Sequence, residues 1–240
     1  MKVGVFTDIH ANLPALKTAL AKFEEEGCYK IIHLGDLIGI GPYPKECMEY
    51  ALNFPKPIDF IMGNHDYWYA YGAPKVSKNI TEEEVEHHHW THQQLGEDYK
   101  HIVKSWSFTV NLNLGKNLLF AFQHYALNET QSGFKPILKN PTGPKLANLF
   151  SGVNADVVCY GHDHVPCEKQ DRNTKRRFIN VGSAGCYHKP EAKVLILDIG
   201  LTDYTVEKYD LPYDDNGLMT AFESKQVPAR KTIMNTFITR

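Results

Sequence analysis

Short polar motifs follow the strand-like apolar runs of this chain, and they are its most constraining feature. The first run, MKVGVFT, ends in DIH, so that two ligand-type side chains fall two residues apart, on one face of an extended strand. In an α/β sheet the carboxyl ends of the strands share an edge where binding crevices form, so residues about 150 positions apart can meet there. The polar residues at these run ends are Asp8, His10, Asp36, Asn64, His65, His124, His162 and His164.

Strand-like and helical runs alternate over the first third of the chain, which is typical of βαβ units and predicts an α/β fold. Apolar residues recur at helical spacing from Leu13 to Phe23, and a second helix is predicted from Pro44 to about Leu52. The segment from Thr81 to about Lys104 is helical and strongly polar, and it begins with a capping-box pattern. We expect a helical insertion over about residues 67–105, either a cap over the cleft or a hairpin without a role there.

The second half of the chain reads as strands joined by turns. SFTVNLNLG and NLLFAFQH predict a hairpin around Gly115 and Lys116, and a helix is expected near Lys145 to Phe150. ADVVCYG is a further strand, and the four runs from CEKQDR to YTVEKYDL are expected to be successive antiparallel strands. Because the sequence contains no repeat or linker, we predict a single domain over residues 1–240.

Charge and composition exclude several classes of function. The 26 Lys and Arg residues nearly balance the 28 Asp and Glu residues, so we expect no nucleic acid polymer as a partner. The sequence shows neither a leader nor the ~20 uninterrupted apolar residues of a membrane span, and we expect a cytoplasmic protein without a membrane partner. The five cysteines are odd in number and lack CxxC spacing, which predicts free thiols.

The residue types at the run ends indicate metal chemistry. Two aspartates, one asparagine and four or five histidines form a ligand set for Mn, Fe or Zn, and the set lacks the thiolates of a structural zinc site. Their number favours two ions, provided that one carboxylate bridges both. Taken alone, Asp8 with His10 would more often be a hydrogen-bonded pair, and His162 with His164 a polar turn.

Five of these motifs together resemble a known family. DIH, GDLIGIGP, GNHD, the strand end at His124, and GHDH are similar, in order and spacing, to the five blocks of the calcineurin-like metallophosphoesterase superfamily. NVGSAG resembles the Asn-Pro-Gly-Ser block of its small bacterial and archaeal branch. The resemblance spans roughly residues 1–200. It implies a four-layer αββα sandwich of two mixed sheets flanked by helices.

The resemblance also implies a reaction and a role for each site residue. It implies two divalent ions (Mn, Fe, Zn or Ni) and hydrolysis of small phosphate esters, nucleotides among them, by in-line attack of a metal-bridging hydroxide. His65 resembles the general acid that faces the leaving group, and Asp66 its orienting partner. The implied ligands are Asp8, His10 and His164 for one ion, Asn64, His124 and His162 for the other, and Asp36 as the bridge.

Contacts to the substrate are expected where the chain departs from the family pattern. Tyr125 replaces the glycine that often follows the fourth block, and the last block lacks the usual proline and arginine. Ser183 and His188 are candidate phosphate contacts in that block. Tyr67 begins an aromatic run that either stacks a planar leaving group or packs the insertion against the core.

Other histidines and other functions complete the alternatives. His33 lies in an apolar strand and is expected to be a hydrogen-bonded core residue. For the run from His87 to His92, a solvated helix face is favoured over a second metal site. A dinucleoside polyphosphate hydrolase and a non-catalytic protein-binding scaffold are the two functional alternatives, and retention of all seven ligands favours an enzyme.

Overall fold

Two five-stranded β-sheets with helices on their outer faces form the body of the protein. The computed structural model describes residues 1–77, 80–113, 118–131 and 133–238. The strands are β1 Lys2–Phe6, β2 Lys30–His33, β3 Ile58–Phe60, β4 Thr109–Asn113, β5 Leu119–Gln123, β6 Val157–Tyr160, β7 Cys167–Gln170, β8 Arg177–Asn180, β9 Glu191–Ile199 and β10 Tyr204–Pro212. The helices are α1 Leu13–Glu25, α2 Pro44–Leu52, α3 Asn64–Tyr71, α4 Glu82–Leu95, α5 Lys100–Lys104, α6 Gly143–Leu149, α7 Asn216–Ser224 and α8 Arg230–Ile233, which continues into a π-helix over Met234–Ile238.

Both sheets are mixed. The first has the order β10-β9-β1-β2-β3, in which β1, β2 and β3 are parallel and β9 is antiparallel to both β1 and β10. The second has the order β4-β5-β6-β8-β7, with β5, β6 and β8 parallel and antiparallel strands at both edges. The expectation of four successive antiparallel strands is therefore wrong in part. β8 pairs in parallel with β6, and β9 crosses to the first sheet. There it lies between β1 and β10, a position that suits a strand buried on both faces.

Alternating side chains build the layers. Val3 and Val5 of β1 lie between the two sheets with Ile32, Phe120 and other buried apolar residues. Phe6, on the opposite face of β1, packs against α1. Burying one such side chain contributes about 1.5–3 kcal/mol, so this interior fixes the two sheets against each other. A further apolar cluster lies under α6 on the outside of the second sheet. The predicted αββα fold is confirmed.

Local predictions agree with the structure where it describes the residues concerned. In the capping box of α4, Thr81 Oγ1 accepts from the Glu84 backbone N–H at 3.2 Å, and Glu84 Oε2 accepts from the Thr81 N–H at 2.7 Å. β4 and β5 pair antiparallel as predicted, but the turn at Gly115 and Lys116 lies outside the described residues. The single-domain assignment stays a prediction.

His33 lies in the core at the end of β2, as predicted. It is fully buried, and its ring contacts Phe6 and Phe60 at centroid distances of 4.7 and 6.0 Å. Neither ring nitrogen has a hydrogen-bond partner among the described residues, contrary to the expectation. Burial lowers the pKa of His33 to about 3, so the ring is neutral.

The helices after β10 were not predicted from the sequence. Leu218 and Phe222 of α7, together with Val227, pack against Ile40 and Cys186 beside the run ends described above. The same segment contacts α4, where His87 Nδ1 lies 3.3 Å from the Pro228 carbonyl oxygen. Within the part of the chain that the structure describes, no helix is both long and apolar enough to cross a membrane.

Candidate metal centre

The loops that carry the clustered residues have unusual backbone conformations. Asp8, His10, Asp36, His162 and His164 all adopt left-handed conformations, with φ between 49° and 70°. For residues other than glycine this conformation costs roughly 1–2 kcal/mol each. Such strain persists only where the surroundings hold it, and it concentrates at functional sites.

Backbone hydrogen bonds hold these loops together. The N–H of Asp8 donates to the Gly35 carbonyl and the N–H of His10 to the Asp36 carbonyl, both at 3.0 Å. The N–H of Gly185 in turn donates to the Asp8 carbonyl at 3.0 Å. Three loops that are distant in sequence are thus joined at the carboxyl edge of the first sheet, as the run ends predict.

One group of side chains comes together around Asp8. His10 Nε2 lies 2.9 Å from His164 Nε2. Asp8 Oδ1 lies 3.5 Å from His10 Nε2 and 3.3 Å from His164 Nε2. Asp8 and His10 are buried, and His164 is 18% exposed. We call Asp8, His10 and His164 the first cluster.

A second group comes together around His124. His124 Nε2 lies 3.1 Å from both Asn64 Oδ1 and His162 Nδ1. Its other nitrogen, Nδ1, lies 3.1 Å from the Leu34 carbonyl oxygen, which fixes the ring and favours a proton on Nδ1. We call Asn64, His124 and His162 the second cluster. Asp36 lies between the two clusters, with Oδ2 3.3 Å from His124 Nε2 and 3.7 Å from His10 Nε2.

The donor atoms of both clusters fit divalent cations. Asp8 Oδ1 is buried and has no hydrogen-bond partner among the described residues, although two imidazole nitrogens lie within 3.5 Å of it. A buried carboxylate oxygen without a donor carries a large desolvation cost unless a cation compensates it. Imidazole nitrogen combined with carboxylate and amide oxygen suits Mn, Fe and Zn rather than Ca.

Electrostatics reinforce this interpretation. Burial would raise the pKa of Asp8, but His164 and His10 lower it well below its ordinary value. Burial opposes protonation of His124 as well, yet the Asp36 carboxylate overrides it and raises the pKa of His124 to about 9. Burial and the neighbouring His124 lower the pKa of His162 to about 4.

The structure overturns the orienting role expected for Asp66. Its carboxylate accepts the N–H groups of Asp36 at 2.7 Å, Gly63 at 3.0 Å and Leu37 at 3.1 Å. It does not contact the ring of His65, whose Nδ1 has no partner among the described residues. Asp66 lies in the first turn of α3, and its short side chain folds back onto the amide groups of the Asp36 loop. It holds that loop instead of the histidine.

His65 lies beside both clusters, but different residues position it. Its N–H donates to Asp36 Oδ1 at 2.8 Å, and its ring packs at right angles to that of His10 at 4.9 Å. The rings of Trp68 and His88 lie 5.0 Å from it on other sides. Burial lowers the pKa of His65 well below its ordinary value, although Asp36 opposes this shift.

The His87 to His92 run is not a solvated helix face, contrary to the favoured interpretation. His87 and His88 are 3% and 8% exposed, and His88 contacts both His65 and Trp68. His89, on the opposite side of α4, is exposed. The insertion therefore brings a histidine to the site that sequence reasoning missed. One feature of the sequence could have indicated the burial of His88: at helical spacing it lies on the same face of α4 as Thr91 and Leu95, which are also buried.

Three of the four predicted substrate contacts lie elsewhere. Tyr125 is buried beneath His162, and its hydroxyl accepts the Leu138 N–H at 2.8 Å. Ser183 is fully buried, and its hydroxyl donates to the Asp8 carbonyl at 2.8 Å. Both residues support ligand loops and are too enclosed to meet a substrate. His188 is exposed and packs on Tyr187 at 4.1 Å, and no contact among the described residues joins it to the clusters.

Tyr67 lines a cleft beside the second cluster. The cleft has a volume of about 400 Å³ and a largely apolar, aromatic wall. Phe134 in this wall packs on the rings of His124 and His162 at 5.1 and 5.8 Å. A larger cavity of about 510 Å³ lies under α6 near Gln123 and is lined by none of the cluster residues. The described residues lining the cleft are Asn64, Tyr67, Trp68, Gly133, Phe134, Lys135, Pro136, Ile137 and His162.

The chain is similar in sequence and in fold to known proteins. Residues 1–201 match the family model of the calcineurin-like phosphoesterase superfamily domain. The uncharacterized protein MJ0912 of Methanocaldococcus jannaschii is 25% identical in an alignment of 245 positions, gaps included, and the alignment covers 88% of each protein.

Solved structures share the fold over nearly the whole chain. The hypothetical protein PH1004 of Pyrococcus horikoshii OT3 aligns with a TM-score of 0.82 at 19% identity, covering 100% of this chain and 98% of that one. A metallophosphoesterase from Sphaerobacter thermophilus aligns with a TM-score of 0.74 at 20% identity, covering 98% and 97%. At these identities the similarity establishes the fold.

Proposed function

The chain belongs to the calcineurin-like phosphoesterase superfamily, and we propose that this metal-dependent phosphoesterase holds two divalent cations and cleaves small phosphate esters that have a planar, apolar leaving group. The observation that carries the proposal is the position of Asp36. Its Oδ2 lies within 3.7 Å of a histidine nitrogen from each cluster. A carboxylate placed in this way can be shared by two cations, one per cluster.

Each cluster would hold one cation. Asp8, His10 and His164 would bind the first cation, and Asn64, His124 and His162 the second. Bound divalent cations supply Lewis acidity, which activates water and neutralises charge on the phosphate. The chain's own contribution is to keep the ligands in place, through the strained loops and three sets of hydrogen bonds. The Gly35 carbonyl and the Asp66 carboxylate accept from backbone N–H groups of these loops, and the Gly185 N–H donates to the Asp8 carbonyl.

We propose that His65 donates a proton to the leaving group. Its ring packs both on that of His10 in the first cluster and on that of Trp68, which lines the cleft beside the second cluster. Burial lowers the pKa of His65, and Asp66 makes no contact with the ring, so the proton must be stabilised by another group. We propose that the negative charge of the bound ester raises the pKa of His65 and lets the ring take up this proton. General acids of this kind contribute roughly 10²–10⁴-fold in rate, and most for poor leaving groups.

The cleft next to the second cluster supports the assignment of the leaving group. Tyr67, Trp68 and Phe134 give it flat apolar walls, and its volume of about 400 Å³ suits a small ligand. Among the described residues that line the cleft, Lys135 is the one with a cationic side chain. Its ammonium group already donates a hydrogen bond to the Leu149 carbonyl at 3.1 Å. A dinucleoside polyphosphate needs cationic partners for its additional phosphates, so this wall favours a monoester or simple diester.

An activity panel tests the proposal. The full chain is stripped of metal, reloaded with Mn, Fe, Ni or Zn, and assayed on p-nitrophenyl phosphate, its bis-ester, cyclic nucleotides, dinucleoside polyphosphates and glycerol phosphate. We expect metal-dependent hydrolysis with the lowest KM for aryl or nucleoside esters. Tyr67→Ala should raise KM for these esters but not for glycerol phosphate, whereas the exposed Tyr29→Ala should change neither.

Metal analysis, combined with the activity panel, distinguishes an enzyme from a non-catalytic scaffold. We expect two ions per chain in the wild type and weaker binding of both in Asp36→Asn. A chain that binds its metals but hydrolyses none of these esters would favour the scaffold function. Two tightly held ions in Asp36→Asn would contradict the bridging role.

A further inference from the structure

A cysteine lies against the first cluster. Cys186 is 4% exposed, and its sulfur and one ring nitrogen each of His10 and His164 all lie within 4.8 Å of one another. The family comparison and the sequence motifs assign no role to it. Its position follows β8, in the loop that returns from the second sheet to the end of β1.

The loop holds Cys186 firmly relative to Asp8. The Cys186 N–H donates to Ser183 Oγ at 2.7 Å, and that hydroxyl donates to the Asp8 carbonyl at 2.8 Å. The neighbouring Gly185 N–H donates to the same carbonyl at 3.0 Å. The cysteine therefore belongs to the same rigid arrangement as the first-cluster ligands.

A second observation points to a ligand at this place. Asp8 Oδ1 is completely buried and unpartnered among the described residues, and it lies 3.5 Å from Nε2 of His10 and 3.3 Å from Nε2 of His164, on the same two imidazole rings. Asp8 Oδ1 and the Cys186 sulfur thus each lie close to the same two imidazole rings, those of His10 and His164. A cation bound between these rings would compensate the buried oxygen and have the thiol within reach.

We propose that Cys186 is a ligand, as a thiolate, of the cation at the first cluster, an inference that rests on the proposed metal-dependent function. Binding would break the S–H bond, form a sulfur–metal bond and release the proton to solvent. Two imidazoles, one carboxylate and one thiolate are a donor set that Zn²⁺ and Co²⁺ accept, whereas hard ions such as Mg²⁺ and Mn²⁺ bind thiolate weakly. Cys186 would therefore give the two clusters different metal preferences.

Packing alone is the competing explanation. Cys186 also contacts the apolar cluster of Ile40, Leu218 and Phe222, and a buried cysteine can act simply as a small apolar residue. In that case substitution would change stability without changing the electronic environment of a bound metal.

Cobalt spectroscopy on the full chain distinguishes the two explanations. Metal-free protein is titrated with Co²⁺, whose visible absorption reports binding and whose intense near-ultraviolet charge-transfer absorption reports a sulfur ligand. We expect both absorptions in the wild type. Cys186→Ser should keep the visible absorption, lose the charge-transfer absorption, and bind Zn²⁺ at least about tenfold more weakly.

Cys28→Ser is the matched control, because Cys28 is equally buried but precedes β2, at the opposite edge of the sheet. It should retain both absorptions. Visible absorption without charge transfer in the wild type, or charge transfer that persists in Cys186→Ser, overturns the thiolate ligand and leaves the phosphoesterase proposal standing. A wild-type protein that binds no Co²⁺ overturns both. The wild-type spectrum needs no variant, so it decides even if Cys186→Ser folds poorly.

Discussion

Replacing Gly39 by alanine should disable His65 without touching a metal ligand. Gly39 has φ +83°, and an added Cβ would lie 2.4 Å from His65 Nδ1, 2.8 Å from Cγ and 3.0 Å from Cβ. Contact with Cβ as well as the ring means that a ring rotation cannot relieve the clash. To reach an ordinary contact distance of 3.4 Å, the histidine must retreat by about 1 Å.

A displacement of that size can cost about 10²-fold in rate. We therefore expect kcat/KM of the metal-loaded Gly39→Ala enzyme to fall about 10²-fold for esters with poor leaving groups and much less for p-nitrophenyl esters. The assay is a series of phosphate esters of increasing leaving-group pKa, compared with His65→Ala. Both variants should show the same steepened dependence while keeping their metals.

Gly27→Ala is the control for backbone strain. Gly27 has φ +66°, but nothing lies within 4 Å of its added Cβ. Both substitutions should cost roughly 1–2 kcal/mol of unfolding free energy from the left-handed backbone, measured by urea denaturation. If the leaving-group dependence of Gly39→Ala equals that of Gly27→Ala, the assignment of His65 as the positioned acid is refuted.

Three further expectations concern the supports of the site. Asp66→Ala should lower the unfolding free energy by about 3 kcal/mol or more, because it leaves three buried N–H groups without an acceptor. It should also weaken metal binding. Normal stability, with an activity defect limited to esters of poor leaving groups, would instead support the orienting role of Asp66. His88→Ala should reduce kcat on poor leaving groups about tenfold, whereas His89→Ala on the same helix should not, and equal effects would count against a positioning role for His88. Because the pKa of His124 is raised to about 9, its protonation stabilises the metal-free fold fully below about pH 6.5, and this stabilisation is lost as the pH rises through 9. Cation affinity should rise over the same pH range, because the cation competes with the proton. Unfolding free energies from urea denaturation and metal affinities that do not change from pH 6 to 10 would contradict this.

The fold and the clustered residues could be predicted because their signals are local. Val3 and Val5 alternate with outward residues, and a ligand that follows a parallel strand must lie at the carboxyl edge of the sheet. The convergence of residues from Asp8 to His164 needs only that rule. The pairing of β9 with β1 could not be predicted in the same way. A buried strand could join either sheet, and the hydropathy pattern of the strand does not distinguish between the two.

The supporting residues could not be predicted, for a different reason. The role of Asp66 depends on which amide groups lie around its short side chain, and the burial of Ser183 depends on a loop from another sheet. From the sequence, Tyr125 is expected to be a bulky side chain that contacts the substrate. In the structure it is buried, and its hydroxyl accepts the Leu138 N–H. His88 and Cys186 reach the site only through an insertion and a returning loop. Such contacts join residues that are far apart in sequence, so no periodic pattern of residue types indicates them.

The insertion and the carboxyl-terminal helices brace each other across the mouth of the metal centre. His87 meets Pro228, Thr232 Oγ1 donates to Glu83 at 3.1 Å, and Phe237 packs 5.7 Å from the ring of His164. The region shared with the family ends at residue 201, so half of this brace lies beyond it. Ending the chain there would remove the packing of Phe237 on His164 and the contacts of Pro228 and Thr232 with the helix that carries His88. We therefore expect the smallest active unit of this protein to extend beyond the region that it shares with the family.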